Sequence, residues 1–433
     1  MIPSNSGEVT PAAVGASEIL DTAAMWRALK ENFLPYTKRQ LFIFVVLFWN
    51  SQIFTVTVSN PVAIKYVQEL FYVFLFVFSI LYLFLQSFRN SIRKTDFLVF
   101  FLVMFGLLYS PAAAWFRFGQ PVLYGVIEER RILAFLVYFP VVWAFRNNVV
   151  SMSKLLNWII FYALLCAMLS IGVVAGIVPE INKVTASTSE GLREERYGIG
   201  TWYISFAAMV IFFRMTRRNF MSHLTMFLFF AVVLLAIVQT RQVLISLAIA
   251  LLIMRGTYIL KAFLLPFVVL LYFGVQWVPK LSDMWDKFTS LFAQIATNQY
   301  LTQSARAIDI ITIYHEFMKG AWLGSGSLYN KWHGGFSHIY YSLFYLTDVG
   351  VFGSVYKFGV IAVPFYLIYL IRQYGILRAV KSHPYYRLIL AMWVQVLVTM
   401  PVGAPIEYRG FLTAFVLALS VGCLYEPEGA GRT

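Results

Sequence analysis

Long apolar segments constrain this chain more than any other feature. About twelve of them lie between residues 41 and 425, each close to the roughly 20 residues that a helix needs to cross a bilayer. Only 12% of the 433 residues are charged, whereas soluble domains average about 25%. Because lipid offers no hydrogen-bond partners, a spanning segment must pair its own backbone groups as a helix. The sequence therefore predicts an all-α, polytopic integral membrane protein with about twelve transmembrane helices.

The segment boundaries predict one membrane domain with a single large loop. Residues 1–40 form a cytoplasmic segment whose last part is amphipathic and suited to an interfacial helix. Spans 1–9 occupy 41–277, a large helical periplasmic loop 278–348, spans 10–12 residues 349–425, and a cytoplasmic tail 426–433. The predicted spans are 41–58, 66–86, 97–114, 122–145, 155–178, 199–216, 221–239, 242–256, 258–277, 349–371, 387–403 and 409–425.

The net charge of +14 reflects Lys and Arg clustered in alternate connections. Such residues mark cytoplasmic loops, so both termini are predicted inside and the long loop outside. No groove-reading motif accompanies the charge, which excludes nucleic acid as a partner and leaves membrane lipids. The two cysteines, Cys166 and Cys423, lie in apolar runs and predict neither a disulfide nor a metal framework.

A set of cations lies at or near the predicted outer ends of spans: Arg196, Arg241, Arg306 and His338. An arginine near bilayer depth costs roughly 2.5–3.5 kcal/mol on insertion scales and normally has a partner or a polar cavity. Guanidinium groups bind phosphate through two parallel hydrogen bonds and stay charged in a low dielectric. The set predicts a site for an anionic substrate presented from the membrane, such as a sugar on a polyprenyl diphosphate.

The reaction predicted at such a site is sugar transfer with diphosphate as the leaving group. Either fixed arginines or a divalent metal held by carboxylates stabilises such a leaving group. No outward acidic pair resembles Asp-x-Asp, so we predict a metal-independent reaction without a cofactor. The acceptor hydroxyl then needs a general base, and imidazole, with an ordinary pKa near 6.5, suits that role. His338 is the candidate.

Each cation also has a purely structural interpretation. Arg241 is placed where its long side chain can extend along its own helix and keep the charge at the membrane–water interface. Lys357 falls within an apolar segment, and no role is predicted for it. The local ion pairs that the sequence allows are Arg196 with Glu194 or Glu195, Arg306 with Asp309, and Arg130 and Arg131 with Glu128 and Glu129.

The order of these motifs resembles that of the bacterial O-antigen ligase and O-antigen polymerase family. In that family an arginine-containing span entry precedes an outer loop with an Arg, an apolar helix and a Gly-x-Gly turn, then a His, an aromatic run and Gly-x-x-Gly. The matching stretches are RYGIGTWYISFA (196–207), TRQ (240–242), SARAIDIITIYHEFMKGAWLGSGSLYN (304–330), SHIYYSLFYL (337–346) and DVGVFG (348–353).

The resemblance implies a glycosyltransferase of lipopolysaccharide biosynthesis in the bacterial inner membrane. Such an enzyme moves a glycan from undecaprenyl diphosphate to lipid A–core oligosaccharide on the periplasmic face. His338 matches the family's essential base, Arg241 and Arg306 match its diphosphate-binding arginines, and Arg196 is a looser match.

Two alternatives stay open. Ligases of this family often carry a polar residue directly after the His, whereas Ile339 follows His338 here. A polymerase that extends the glycan on its undecaprenyl diphosphate carrier is therefore the second hypothesis. A transporter of lipid-linked sugar, which forms no new bond, is the third.

Overall fold

A computed structural model describes residues 34–51, 53, 61–178, 199–216, 218–238, 241–254, 305–340, 344 and 346–426. Within these ranges every regular element is a helix and none is a strand, which confirms the predicted all-α class. The predicted ninth span, 258–277, lies outside the described residues. So does most of the predicted N-terminal interfacial segment.

The helices alternate with short connections along most of the chain. Short 3₁₀ segments cover Arg130–Val137, Leu346–Asp348, Gly359–Ile361 and Met400–Val402, and a π segment covers Leu234–Val238. The α-helices are α1 (Lys38–Ser51), α2 (Pro61–Phe88), α3 (Lys94–Phe118), α4 (Val122–Glu129), α5 (Tyr138–Arg146), α6 (Met152–Val174), α7 (Thr201–Arg214), α8 (Phe220–Val233), α9 (Arg241–Met254), α10 (Ala305–Met318), α11 (Phe336–Ile339), α12 (Val351–Phe358), α13 (Ala362–Ala379), α14 (Tyr386–Thr399) and α15 (Gly410–Gly422).

Four helical stretches of the described chain are long and apolar enough to cross a membrane. They are Tyr66–Phe88, Lys94–Phe118, Met152–Val174 and Val351–Ala379. Five further apolar helices are shorter, and one of 14 residues is about 21 Å long against a hydrocarbon core of about 30 Å. Helix length thus supports membrane-spanning character for four stretches, and the count of twelve stays a prediction.

The long helix α2 has an apolar face that no other described element covers. Leu70, Val73, Val77, Leu81 and Phe84 recur at helical spacing and are each about half exposed or more. Contiguous apolar surface of this kind is rare on soluble monomers. An apolar face of this kind is compatible with contact to membrane lipid.

Helix α15 is the centre of the bundle. All of its residues except Phe411 are buried, and none is charged. A helix that is apolar on every side is stable only when other helices surround it. Its glycines permit close packing, because a side chain at Gly422 would lie 2.6 Å from the ring of Phe145 on α5.

One end of the bundle, which we call the basic end, gathers the connections 89–93, 147–151 and 380–385. The guanidinium of Arg93 lies 4.0 Å from the ring centroid of Tyr425, which follows the last helix. Arg89, Arg93 and Lys381 lie in these connections, and further basic residues lie at the helix ends beside them: Lys94, Arg146, Lys154, Arg378 and Arg387. The common position of these connections agrees with the predicted assignment of these residues to the cytoplasmic side.

The opposite end, which we call the loop end, gathers the connection 119–121, residues 321–350 and the connection 403–409. Arg117 Nη2 lies 2.5 Å from Glu316 Oε2, and Gln120 Nε2 donates to the carbonyl oxygen of Ser327 at 3.0 Å. The described part of the predicted large loop therefore packs on the end remote from the basic clusters.

The predicted tenth span is broken near its start. Gly359 separates α12 from α13 and has φ +59°, a left-handed conformation that favours glycine. A Cβ there would lie 1.9 Å from the carbonyl oxygen of Trp322, and Val360 N–H donates to that oxygen at 2.8 Å. The break therefore admits a segment of the loop into the bundle.

Candidate functional site

The segment Gly324–Leu328 enters the bundle at this break. Ser325 N–H donates to the carbonyl oxygen of Tyr356 at 2.7 Å, and Gly326 N–H to that of Lys357 at 3.2 Å. Gly326 has φ +72°, and a Cβ there would lie 2.2 Å from the backbone oxygen of Ser110 on α3. The Gly-x-Gly pattern of the sequence is thus required by backbone conformation and by close approach to two helices.

Lys357 forms a fully buried ion pair. Its Nζ lies 2.8 Å from Glu129 Oε1, and the two side chains are 1% and 2% exposed. Ser110 Oγ also donates to Glu129 Oε1 at 2.8 Å, and Ser327 Oγ binds the same oxygen. The pair therefore joins α4, α3, α12 and the inserted segment.

This arrangement corrects the predicted local pairing of the EERR motif. Glu129 pairs with Lys357, and Arg130 pairs with Glu69 on α2. The change from α-helix to 3₁₀ geometry occurs between Glu129 and Arg130, and the two neighbours bind different helices. Sequence adjacency suggested a local pair, whereas interhelical packing supplied partners that are distant in sequence.

Arg409, in the connection before α15, is a partly buried cation at the loop end. Its guanidinium lies 5.0 Å from the ring centroid of Trp202, and Nη2 donates to Gln242 Oε1 at 3.4 Å. Nη1 is buried and has no hydrogen-bond partner among the described atoms. Gly403 gives this side chain its space, since a Cβ there would lie 2.3 Å from Cζ of Arg409. The buried N–H groups of Nη1 are suited to an anionic ligand.

Two further charges act on Arg409. Burial and the neighbouring Arg306 lower the pKa of Arg409, Asp348 raises it, and the net result is a pKa of about 10. The guanidinium is still a cation at neutral pH. Two arginines and one carboxylate leave this cluster with a net positive charge, and an added anion would offset both the burial and the mutual repulsion.

The structure brings one predicted site residue, Arg306, to this cluster and places the backbone of a second, Arg241, beside it. Arg306 lies in the first turn of α10 and is half-buried, and its predicted pair with Asp309 stays a prediction. Arg241 is the first residue of α9, directly before the Gln242 that binds Arg409. The side chain of Arg241 lies outside the described part of the structure, and so does all of Arg196.

His338 lies on the short helix α11, with its side chain exposed. Aromatic packing holds this turn in place. The Phe336 ring lies 5.6 Å from the ring of Tyr356 on α12, and Tyr340 Oη lies 2.6 Å from Tyr356 Oη. Ile310 of α10, one turn after Arg306, packs against the same aromatic cluster. His338 and Arg306 thus belong to one packed unit at the loop end.

Arg409 was not among the site residues predicted from the sequence. The available signal was an arginine directly before an uncharged helix, next to Glu407 and Tyr408. Glu407 is buried and accepts a hydrogen bond from Tyr366. Within the described ranges, no three His, Cys, Asp or Glu side chains are grouped so that they could hold a metal ion. Metal independence stays a prediction.

No family model matches this chain, and neither does any curated protein or solved structure. The cluster at the loop end and the order of the sequence motifs are therefore the features that bear on function.

Proposed function

We propose that this protein is an O-antigen ligase-like glycosyltransferase of the bacterial inner membrane. It moves a glycan from undecaprenyl diphosphate to lipid A–core oligosaccharide, without a metal ion. The bundle crosses the membrane about twelve times. Both termini are cytoplasmic, and the loop end, with its active site, is periplasmic. The separation of the basic end from the loop end supports this orientation.

The observation that carries the proposal is the buried, unpaired Nη1 of Arg409 beside Arg306 and Gln242. Fixed guanidinium groups stabilise a diphosphate leaving group because their charge and geometry need no rearrangement as negative charge develops. We add Arg409 to the diphosphate-binding set of Arg241, Arg306 and Arg196.

The proposed step balances as a displacement at the anomeric carbon. The acceptor hydroxyl oxygen forms a bond to that carbon while the bond from the carbon to the diphosphate oxygen breaks. The hydroxyl proton passes to the imidazole of His338, and the electron pair leaves with the undecaprenyl diphosphate. Exposure of His338 suits this role, because the acceptor oligosaccharide must reach the base from the aqueous side.

The test is transfer by the purified full-length chain in lipid vesicles, with undecaprenyl-diphosphate-linked glycan as donor and lipid A–core as acceptor. We expect Arg409→Gln and Arg306→Gln each to lower the rate by about 10²-fold or more, the usual effect of losing one charge-stabilising donor. His338→Ala should lower it by about 10²- to 10⁴-fold, as expected for a general base. Arg378→Gln, an exposed arginine near the basic end, is the matched control and should keep the full rate.

Full transfer by Arg409→Gln and Arg306→Gln proteins that are inserted and monodisperse would refute the proposal. Addition of a chelator tests metal independence separately, because transfer should continue when divalent metals are removed.

A polymerase is the second candidate, and Ile339 is the observation that favours it. Ile339 follows His338 on α11 and is exposed, so it presents an apolar surface where family ligases often have a polar one. The same assay separates the two enzymes by product. A ligase attaches glycan to lipid A–core, whereas a polymerase lengthens glycan that stays on the diphosphate carrier. A transporter forms neither product.

A further inference from the structure

An open groove of about 520 Å³ lies between α3 and α13 near the basic end. Its volume falls within the range of about 300–1,000 Å³ typical of small-ligand sites. Each helix lines it with residues at i, i+3, i+4 and i+7, which share one helix face. Phe97 and Phe101 on α3 and Ile368 and Ile371 on α13 form apolar walls, and all four are exposed within the described chain.

Two cations lie at one end of these apolar walls. Lys94 is the first residue of α3, where the helix dipole adds positive potential. Arg372 lies on α13, and its Nε donates to Thr95 Oγ1 at 2.7 Å, which fixes the guanidinium. Neither cation forms an ion pair with an acidic residue of the described chain.

The length of the groove along α3 also limits which ligand can fit. Lys94 and Phe101 are seven residues apart, so they are separated by about 10 Å along α3 at 1.5 Å per residue. A ligand that fits must therefore carry a negative group at one end and an apolar chain that extends from it. Gly375 keeps the charged end open, because a Cβ built there would meet nothing within 4 Å.

We infer that this groove binds an acidic membrane phospholipid, with its phosphate between Lys94 and Arg372 and an acyl chain along Phe97, Phe101 and Ile368. Charge complementarity selects this occupant over a neutral lipid, and the apolar walls select it over free phosphate. The site is remote from the Arg409 cluster. Lipid binding and glycan transfer are therefore separable properties, and either can fail without the other.

The experiment is native mass spectrometry of the full chain, purified in detergent and mixed with phosphatidylglycerol or phosphatidylcholine of matched acyl chains. We expect the wild-type protein to retain one phosphatidylglycerol several-fold more often than one phosphatidylcholine. Lys94→Gln should lower phosphatidylglycerol retention several-fold by removing half of the phosphate-binding charge. Gly375→Phe should reduce it to the phosphatidylcholine level, because the ring fills the groove without displacing protein atoms.

Two matched controls lie on the same helix but outside the groove. Arg378→Gln removes an equivalent exposed charge, and Val363→Phe adds an equivalent ring at an exposed position, so neither should change retention. Equal retention of the two lipids by the wild type would overturn the inference. So would equal phosphatidylglycerol retention by the wild type and Gly375→Phe, which is the result expected if another part of the chain or a second copy covers the groove.

Discussion

Replacement of Lys357 by methionine tests the buried ion pair most directly. Methionine keeps most of the volume of the side chain and removes only the charge. The carboxylate of Glu129, which is 2% exposed, would then have no cation within the network that joins α3, α4 and the inserted segment. The contact of Lys357 Nζ with the Tyr408 ring, 4.3 Å from its centroid, would also be lost.

We expect this substitution to lower the free energy of unfolding by about 3–5 kcal/mol, the usual result of removing one partner from a buried pair. Most of that cost is the unpaired charge of Glu129, not lost attraction. The double variant Lys357→Met/Glu129→Gln should therefore cost less than the sum of its two single variants, by about 0.5–3 kcal/mol. Glutamine retains an oxygen that can accept from Ser110.

The assay is reversible unfolding of the purified protein by titration of sodium dodecyl sulfate into mixed micelles. Lys319→Met is the matched control, because Lys319 is 72% exposed and lies 3.4 Å from Glu316. An exposed pair of this kind contributes less than about 1 kcal/mol. A Lys357→Met protein as stable as the control variant, or a double variant whose cost equals the sum of the two single costs, would contradict the reasoning.

Three further predictions use the same protein. Gly326→Ala should destabilise it by at least about 2 kcal/mol in the same titration, because φ is +72° and the new methyl would collide with Ser110, whereas Gly375→Ala should be neutral or stabilising. Arg117→Gln should cost less than about 1 kcal/mol, because its pair with Glu316 is partly exposed, and a loss above 2 kcal/mol would refute that estimate. Deprotonation of Arg409 should not lower the affinity for a short isoprenyl diphosphate between pH 7 and 9, as measured by calorimetry. Arg409 loses its charge only as pH rises through its pKa of about 10, and a bound anion raises that pKa. A fall in affinity at pH 8 that the Arg409→Gln substitution abolishes would contradict the prediction.

The candidate site could be predicted only in part. Arg306 was identified from its place in a loop motif, and the structure brings it to the charge cluster at the loop end. Arg409 was not identified, because a lone arginine in a short connection has no pattern of its own. Its importance comes from Gln242 and Trp202, which are distant in sequence and adjacent only after α7, α9 and α15 pack.

The sequence by itself determined the helical class, the approximate positions of the helices and the clustering of basic residues at alternate connections. Those properties are local, since they follow from the length and composition of each segment. Tertiary structure decided which charges are paired. Glu129 lies next to two arginines in the chain yet binds Lys357, 228 residues away, because helix packing places that ammonium group against it. Tertiary structure also decided that the tenth predicted span breaks at Gly359, where the loop backbone at Trp322 approaches too closely for any side chain.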